Sequence, residues 1–109
     1  MLENKFNIIF IYIPCRDAAE AEKIARGVVE QKLAACANIF PSMQSIYRWE
    51  GEMRSESEAV LILKTTQDKF KAVEGAVRAI HSYDTPCIAA LNIADVNDAY
   101  RAWLLQQIQ

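Results

Sequence analysis

Three side chains of this sequence have the chemistry to hold a soft or borderline metal ion. Cys15 follows a strongly apolar run, His81 follows a helical pattern, and Cys87 opens another apolar run. Thiolate and imidazole together suit copper or zinc. Each residue also has an ordinary structural interpretation, because a lone cysteine is usually a small buried hydrophobe and a histidine at a helix end can complement the terminal carbonyls. A metal site therefore depends on whether the fold brings the three side chains together.

Apolar runs and prolines predict four strands in the chain. Pro41 interrupts the second strand, which indicates a bulge or an edge position because proline removes a ladder donor. Glu50, Gly51 and Glu52 are predicted to form the turn that leads into the third strand. The strands are predicted at residues 6–13, 34–50, 58–64 and 87–93.

Three helices are predicted between and after these strands. Asp17 and Glu20 have the spacing of a capping box, so the first helix is predicted over residues 18–33. Thr65 or Thr66 is predicted to cap the second helix, and Asn97 to cap a short closing helix. Cys36, set among small apolar residues, is predicted to belong to the core.

This order of elements is the βαββαβ pattern of a ferredoxin-like fold, in the α+β class. Right-handed crossovers favour an antiparallel sheet in the order 4-1-3-2, with both long helices on one face. The end of strand one then lies beside the start of strand four, which would bring Cys15, His81 and Cys87 to one rim. The 109 residues suit one domain, 1–109.

The polar-aromatic segment before the turn is amphipathic in an unusual way. Ser45, Tyr47 and Trp49 share one side of the strand, because strand side chains alternate. A small domain gains little from such a strand unless a second surface covers it. We therefore expect a long protruding hairpin between strands two and three that contacts other subunits, with Trp103 of the closing helix in the same interface.

Composition excludes several classes of function. The net charge of −2 and the absence of a basic cluster argue against nucleic acid and membrane surfaces as partners. Three widely spaced cysteines without a C-x-x-C pair favour a reducing, cytoplasmic location. The sequence has one histidine and no nucleophile with an evident base, so no Ser-His-Asp or Cys-His-Asn set can be assigned, and we expect neither enzymatic activity nor an organic cofactor.

Five segments in one order and spacing resemble the CutA divalent-cation tolerance family. The likeness runs from about Ile8 to the C-terminus, and the segments are Leu33–Asn38, Ser45–Gly51, Leu61–Thr66, His81-x-Tyr83-x-x-Pro86 and Tyr100-x-x-Trp103. This resemblance implies a ferredoxin-like subunit, a tight homotrimer with hairpins between neighbours, and a role in tolerance of copper and other divalent ions without catalysis.

The chain departs from the family pattern at the predicted metal site. Cys87 stands where the family often has a glutamate, which would favour softer metals. The family's metal-binding cysteine aligns with Ile13, and Cys15 lies two residues later, so His81 carries over most directly. The family's similarity to PII signalling trimers gives a second hypothesis, in which Arg48, Lys64 and Tyr83 bind a small anionic ligand or a partner protein between subunits.

Overall fold

The computed structural model describes residues 6–109 and confirms the predicted ferredoxin-like topology. The elements are β1 (Ile8–Cys15), α1 (Ala18–Glu30), β2 (Cys36–Trp49), β3 (Glu52–Thr66), α2 (Phe70–Ile80), β4 (Ala89–Asn92) and α3 (Asp98–Gln107). The four strands form an antiparallel sheet in the order β2-β3-β1-β4. Long strands β2 and β3 form a hairpin, and β1 lies between β3 and β4.

The main core lies between one face of the sheet and helices α1 and α2. Alternate residues of β1 point to this face, and they end with Cys15, which has no exposed surface. Ile24 and Val28 of α1 and Val73 and Val77 of α2 cover them. We call this side of the sheet the helix face.

The other side of the sheet, which we call the open face, is covered in part by α3. Leu104 and Ile108 bury Ile8 there. Cys36, predicted to be a core residue, is instead half-buried on this face beside α3. The prediction failed because the small apolar residues around Cys36 do not show which face of β2 it occupies.

The hairpin projects from the sheet. The pairing of β2 with β3 shifts register between Phe40 and Met43, which confirms the bulge predicted around Pro41. The turn places Glu50 at φ 51° and Gly51 at φ 81°, a left-handed conformation that favours glycine. The protomer is consequently elongated, with extents of 44 × 31 × 23 Å.

Helix α1 ends earlier than predicted. It stops at Glu30, and Lys32 adopts a left-handed φ of 62°. Leu33 nevertheless packs against the core, so its match to the helical stripe was misleading.

The threonines predicted to cap α2 do not do so. Thr65 donates to the Leu33 carbonyl at 2.8 Å, and Thr66 donates to Asp68 at 2.5 Å. A 3-10 turn over Gln67–Lys69 separates both threonines from α2. Asn97 does occupy the N-cap position of α3, as predicted, but its side chain makes no capping hydrogen bond.

The ends of the sheet also differ from the prediction. Strand β4 spans four residues, so Cys87 precedes it rather than belonging to it. In residues 6–109 there is no helix with the length and apolarity needed to cross a bilayer.

Candidate metal and ligand sites

Two sites lie near the end of β1, one on each face of the sheet. On the helix face, a ligand atom from each of Cys15, Glu20 and His81 lies within 4.8 Å of the other two. All three residues are buried. We call them the buried triad. The structure thus joins two of the predicted metal residues, Cys15 and His81, and adds Glu20.

His81 is held by hydrogen bonds at both ring nitrogens. Its Nε2 lies 2.9 Å from the Pro14 carbonyl, and its Nδ1 lies 3.1 Å from the backbone nitrogen of Tyr83. The carbonyl can only accept and the Tyr83 N–H can only donate. The imidazole is therefore the neutral tautomer with its proton on Nε2.

Glu20 connects three segments of the chain. Asp17 caps α1 by accepting from the Glu20 N–H at 2.8 Å, as predicted. The Glu20 carboxylate in turn accepts from the N–H of Arg16 at 2.8 Å and from the N–H of Ser82 at 2.9 Å. Burial alone would raise the pKa of Glu20, but the hydrogen bonds from Arg16 and Ser82 lower it overall. Glu20 is therefore ionised at neutral pH.

Cys15 is a protonated thiol at neutral pH. Burial, followed by the negative charges of Glu20, Glu58 and Asp17, raises its pKa from 9.0 to about 12. Its sulfur lies 3.5 Å from the Ile13 carbonyl. Because the thiolate is the metal ligand, a cation at this position must displace the thiol proton.

On the open face, a cleft of about 680 Å³ lies between the hairpin and the 81–88 loop, which joins α2 to β4. Cys87 lines this cleft, as does Pro14. Adjacent strand residues point to opposite faces, so Cys15 lies on the other side of the sheet. The structure therefore does not bring Cys87 into the triad, although both sites lie at the same end of β1.

Tyr83 closes one wall of the cleft. Its hydroxyl donates to Glu58 at 2.6 Å. Burial and this hydrogen bond raise the pKa of Tyr83 well above its usual value. Arg16 and Arg54 also line the cleft, together with carboxylates of Glu56, Glu58 and Asp84.

The other two predicted ligand-binding residues lie away from this cleft. Arg48 is exposed and its guanidinium lies 3.4 Å from the Gly51 carbonyl at the hairpin turn. The Lys64 ammonium lies over the rings of Phe10 and Tyr100, at 5.2 and 5.6 Å from their centroids. Within one protomer, only Tyr83 of the predicted set reaches the cleft.

The predicted interface residues are accessible in the single protomer. Tyr47 and Trp49 line the cleft and are 38% and 53% exposed, while Ser45 is half-buried nearby on β2. The Tyr47 hydroxyl donates to Glu56 across the hairpin. Trp103 is 42% exposed on α3, where its ring centroid lies 5.5 Å from that of Tyr100.

Two carboxylates were missed as site residues. Glu20 was interpreted only as a capping partner, yet it is four residues from Ile24 and eight from Val28, on the buried stripe of α1. That spacing was the available signal. Glu58 is one of several glutamates in the predicted hairpin, and nothing in the sequence shows that Tyr83 would reach it.

Comparison with known proteins agrees with the resemblance found in the sequence. Residues 9–107 match the family described as CutA1 divalent ion tolerance protein. Over 100 residues the chain is 42% identical to the divalent-cation tolerance protein CutA of Archaeoglobus fulgidus, covering 92% of this chain and 97% of that protein. It is also 41% identical over 97 residues to the chloroplastic protein CutA of Arabidopsis thaliana, but spans only 52% of that longer relative.

Solved structures show the same fold. The periplasmic divalent cation tolerance protein CutA from Archaeoglobus fulgidus superposes with a TM-score of 0.91 at 40% identity, covering 94% of this chain and 99% of that one. CutA1 from Oryza sativa gives a TM-score of 0.92 at 33% identity, with 96% of each chain covered. Family match, sequence identity and fold agree, and this chain belongs to the CutA1 divalent ion tolerance family.

Proposed function

We propose that the protein is a non-catalytic homotrimer that contributes to divalent-cation tolerance by binding copper or a related ion. The observation that carries the metal part is the buried triad, whose three donor atoms lie within 4.8 Å of one another. Thiolate, imidazole and carboxylate are a mixed donor set that suits zinc and copper better than magnesium or calcium.

The triad fits such an ion in donor type and spacing, at the cost of proton displacement. Cys15 has a pKa of about 12, roughly five units above neutral pH. Each unit corresponds to about 1.36 kcal/mol, so deprotonation costs about 7 kcal/mol at pH 7. Metal binding releases this proton, so the affinity of the triad depends on pH. Binding should therefore strengthen as pH rises.

Cys87 remains a predicted metal ligand in a different setting. It is exposed at the cleft, where the Glu58 and Asp84 carboxylates are also present. An accessible thiol beside carboxylates can collect a soft ion without any opening of the core. We propose it as a separate, weaker contact on the open face.

Self-association is supported by the apolar surface of the hairpin. Both of its faces carry large exposed side chains: Tyr47 and Trp49 on one, Ile46 and Met53 on the other. Such contiguous apolar surface usually marks an interface. A trimer with each hairpin between two neighbours would cover both faces, and Trp103 would join the contact.

A second candidate function is a PII-like regulatory trimer that binds a small anionic ligand. The cleft volume of about 680 Å³ lies within the usual range for ligand sites, and Arg16 and Arg54 lie on its wall. A neighbouring subunit could add Arg48 or Lys64, which lie outside the cleft of their own protomer. Titration with inorganic phosphate, followed by Trp49 fluorescence, tests this candidate; Arg54→Gln should abolish any response.

The proposed location is cytoplasmic, because the three cysteines are free and a reducing compartment keeps thiols reduced. The similar structure from Archaeoglobus fulgidus is described as a periplasmic protein. Location of the tagged full-length protein by cell fractionation would separate the two compartments.

The metal proposal is tested by titrating the purified protein with zinc and copper(I) while measuring thiolate absorbance. Cys15→Ser and His81→Ala should each weaken binding at the triad, and Cys87→Ser should remove only the weaker contact. Glu22→Gln is a matched control, because Glu22 is an exposed carboxylate of the same helix. Affinity unchanged by all three site substitutions would refute the proposal.

A further inference from the structure

His81 connects the buried triad to the cleft. Its ring belongs to the triad on the helix face, while its Nδ1 accepts from the N–H of Tyr83 at 3.1 Å. Tyr83 in turn reaches Glu58 in the cleft at 2.6 Å. The rings of His81 and Tyr83 are also in contact, with centroids 4.7 Å apart.

From this connection we infer that a cation held by the buried triad releases the Tyr83 backbone from His81, so that metal occupancy on the helix face changes the cleft on the open face. This inference rests on the proposed metal function and adds that metal binding regulates the cleft. It follows from the number of lone pairs that each triad residue can offer.

An imidazole has one lone pair available to a metal at a time. In His81 that lone pair is on Nδ1 and already accepts from Tyr83. Coordination through Nδ1 displaces the Tyr83 N–H directly. Coordination through Nε2 moves the ring proton to Nδ1, where it faces the Tyr83 N–H as a second donor, and it also removes the bond to Pro14. Tyr83 loses its acceptor in both cases.

Glu20 behaves differently under the same conditions. Each carboxylate oxygen has two lone pairs, so Glu20 can contact a cation and still accept from Ser82 and Arg16. The two neighbouring amides of the 81–88 loop should therefore respond unequally. Tyr83 is released, and Ser82 stays bonded.

Burial also bears on how a cation would reach the triad. Cys15 has no exposed surface and Glu20 is only 6% exposed. The 81–88 loop is bonded to the triad through His81 and Ser82, so we infer that entry requires this loop to move. Because Tyr83 belongs to the same loop, the same movement would weaken its contact with Glu58.

The test uses isotope-labelled full-length protein at about pH 8, where an imidazole is ordinarily neutral, titrated with Zn²⁺ alone. Binding is measured by competition with a chelator, and amide hydrogen exchange is measured separately by NMR. Zinc should speed exchange of the Tyr83 amide about fivefold or more, because loss of one typical hydrogen bond of about 1 kcal/mol changes an opening equilibrium by about that factor. The exchange rate of the Ser82 amide should change less. The amide of Gly27 in α1 serves as a distant reference.

Three variants show at which site zinc causes the change in Tyr83 exchange. Cys15→Ser should weaken zinc binding while leaving Tyr83 exchange in the metal-free protein unchanged. His81→Ala should speed Tyr83 exchange without zinc and remove the zinc response. A zinc response lost in Cys87→Ser but kept in Cys15→Ser would place the ion in the cleft and overturn the inference.

Metal binding at the triad and release of the Tyr83 amide are tested by different measurements. Zinc bound at the triad with an unchanged Tyr83 amide would overturn the release and leave the proposed function standing. Chelator competition that detects no Cys15-dependent binding would overturn both.

Discussion

Replacement of Trp49 by alanine is the sharpest test of assembly. Trp49 lies near the end of the hairpin and is 53% exposed in the protomer. A tryptophan can bury on the order of 250 Å², so about 130 Å² of its surface is left for a partner to cover. At about 25 cal/mol per Å² this surface is worth at most about 3 kcal/mol, and alanine would retain a small part of it.

We therefore expect Trp49→Ala to weaken assembly by about 2 kcal/mol per protomer. Summed over a trimer this is about 6 kcal/mol, and the protein concentration at half-dissociation depends on the square root of the trimer constant. The midpoint should rise by on the order of a hundredfold. The folded protomer should also lose some stability, because about half of the Trp49 side chain is covered within one chain.

Sedimentation velocity over a dilution series measures this midpoint. Val29→Ala is the matched control, since Val29 is 37% exposed on α1, away from the hairpin. Two results would refute the reasoning. The first is a wild-type protein that sediments as a folded monomer at micromolar concentration. The second is a Trp49→Ala midpoint equal to that of Val29→Ala.

Three further predictions concern the protomer. Cys15 should react with iodoacetamide at least about 1,000-fold more slowly in the native than in the urea-unfolded protein, because its pKa rises from 9.0 to about 12 and its surface is covered. Peptide mass mapping measures the two rates, and near-equal rates would contradict the burial of Cys15. As pH falls below about 4.5, the wild type should lose the stability that Glu20 gives through its lowered pKa. The Glu20→Gln variant should be less stable at pH 7, and its free energy of unfolding in urea should depend less on pH in the acid range; parallel pH profiles of the two proteins would refute this. Gly51→Ala should lower the free energy of unfolding by about 1 kcal/mol because of its positive φ, whereas Gly75→Ala, in open space within α2, should raise it by about 0.5–1 kcal/mol; urea midpoints that shift in the same direction would contradict the assignment.

The order of elements and the sheet topology could be predicted because local patterns decide them. The apolar run of β1, the capping pair Asp17 and Glu20, and the proline in β2 each act over a few residues. Right-handed crossovers then leave few ways to connect four strands. The bulge between Phe40 and Met43 was predictable for the same local reason.

The candidate site could be predicted only in part, because it depends on which face each side chain occupies. Cys15 and Cys87 were placed on one rim, and both do lie at that end of the sheet. Yet Cys15 points into the helix face, while Cys87 precedes the short strand β4 and lines the cleft. After a loop, the sequence alone does not show to which face of the sheet a side chain points.

The capping threonines failed for a different physical reason. Thr66 has a side chain that can cap a helix, but the carboxylate of Asp68, two residues later, accepts the hydrogen bond from its hydroxyl. This local hydrogen bond competes with capping, as is common for threonine near helix starts. A 3-10 turn then carries the chain into α2 without a side-chain cap.

The cost of the buried triad supports a functional interpretation over a purely stabilising one. Buried polar clusters are weak sources of stability, because desolvation offsets much of what their hydrogen bonds contribute. Glu20 is kept ionised in the core by two backbone N–H groups, and one of these belongs to the loop that also carries Tyr83. An apolar side chain at position 20 could fill the same space, but it would leave the N–H groups of Arg16 and Ser82 without their acceptor. What such a replacement could not do is supply a carboxylate beside a thiol and an imidazole while still holding Ser82, and that combination is what a site responding to a cation requires.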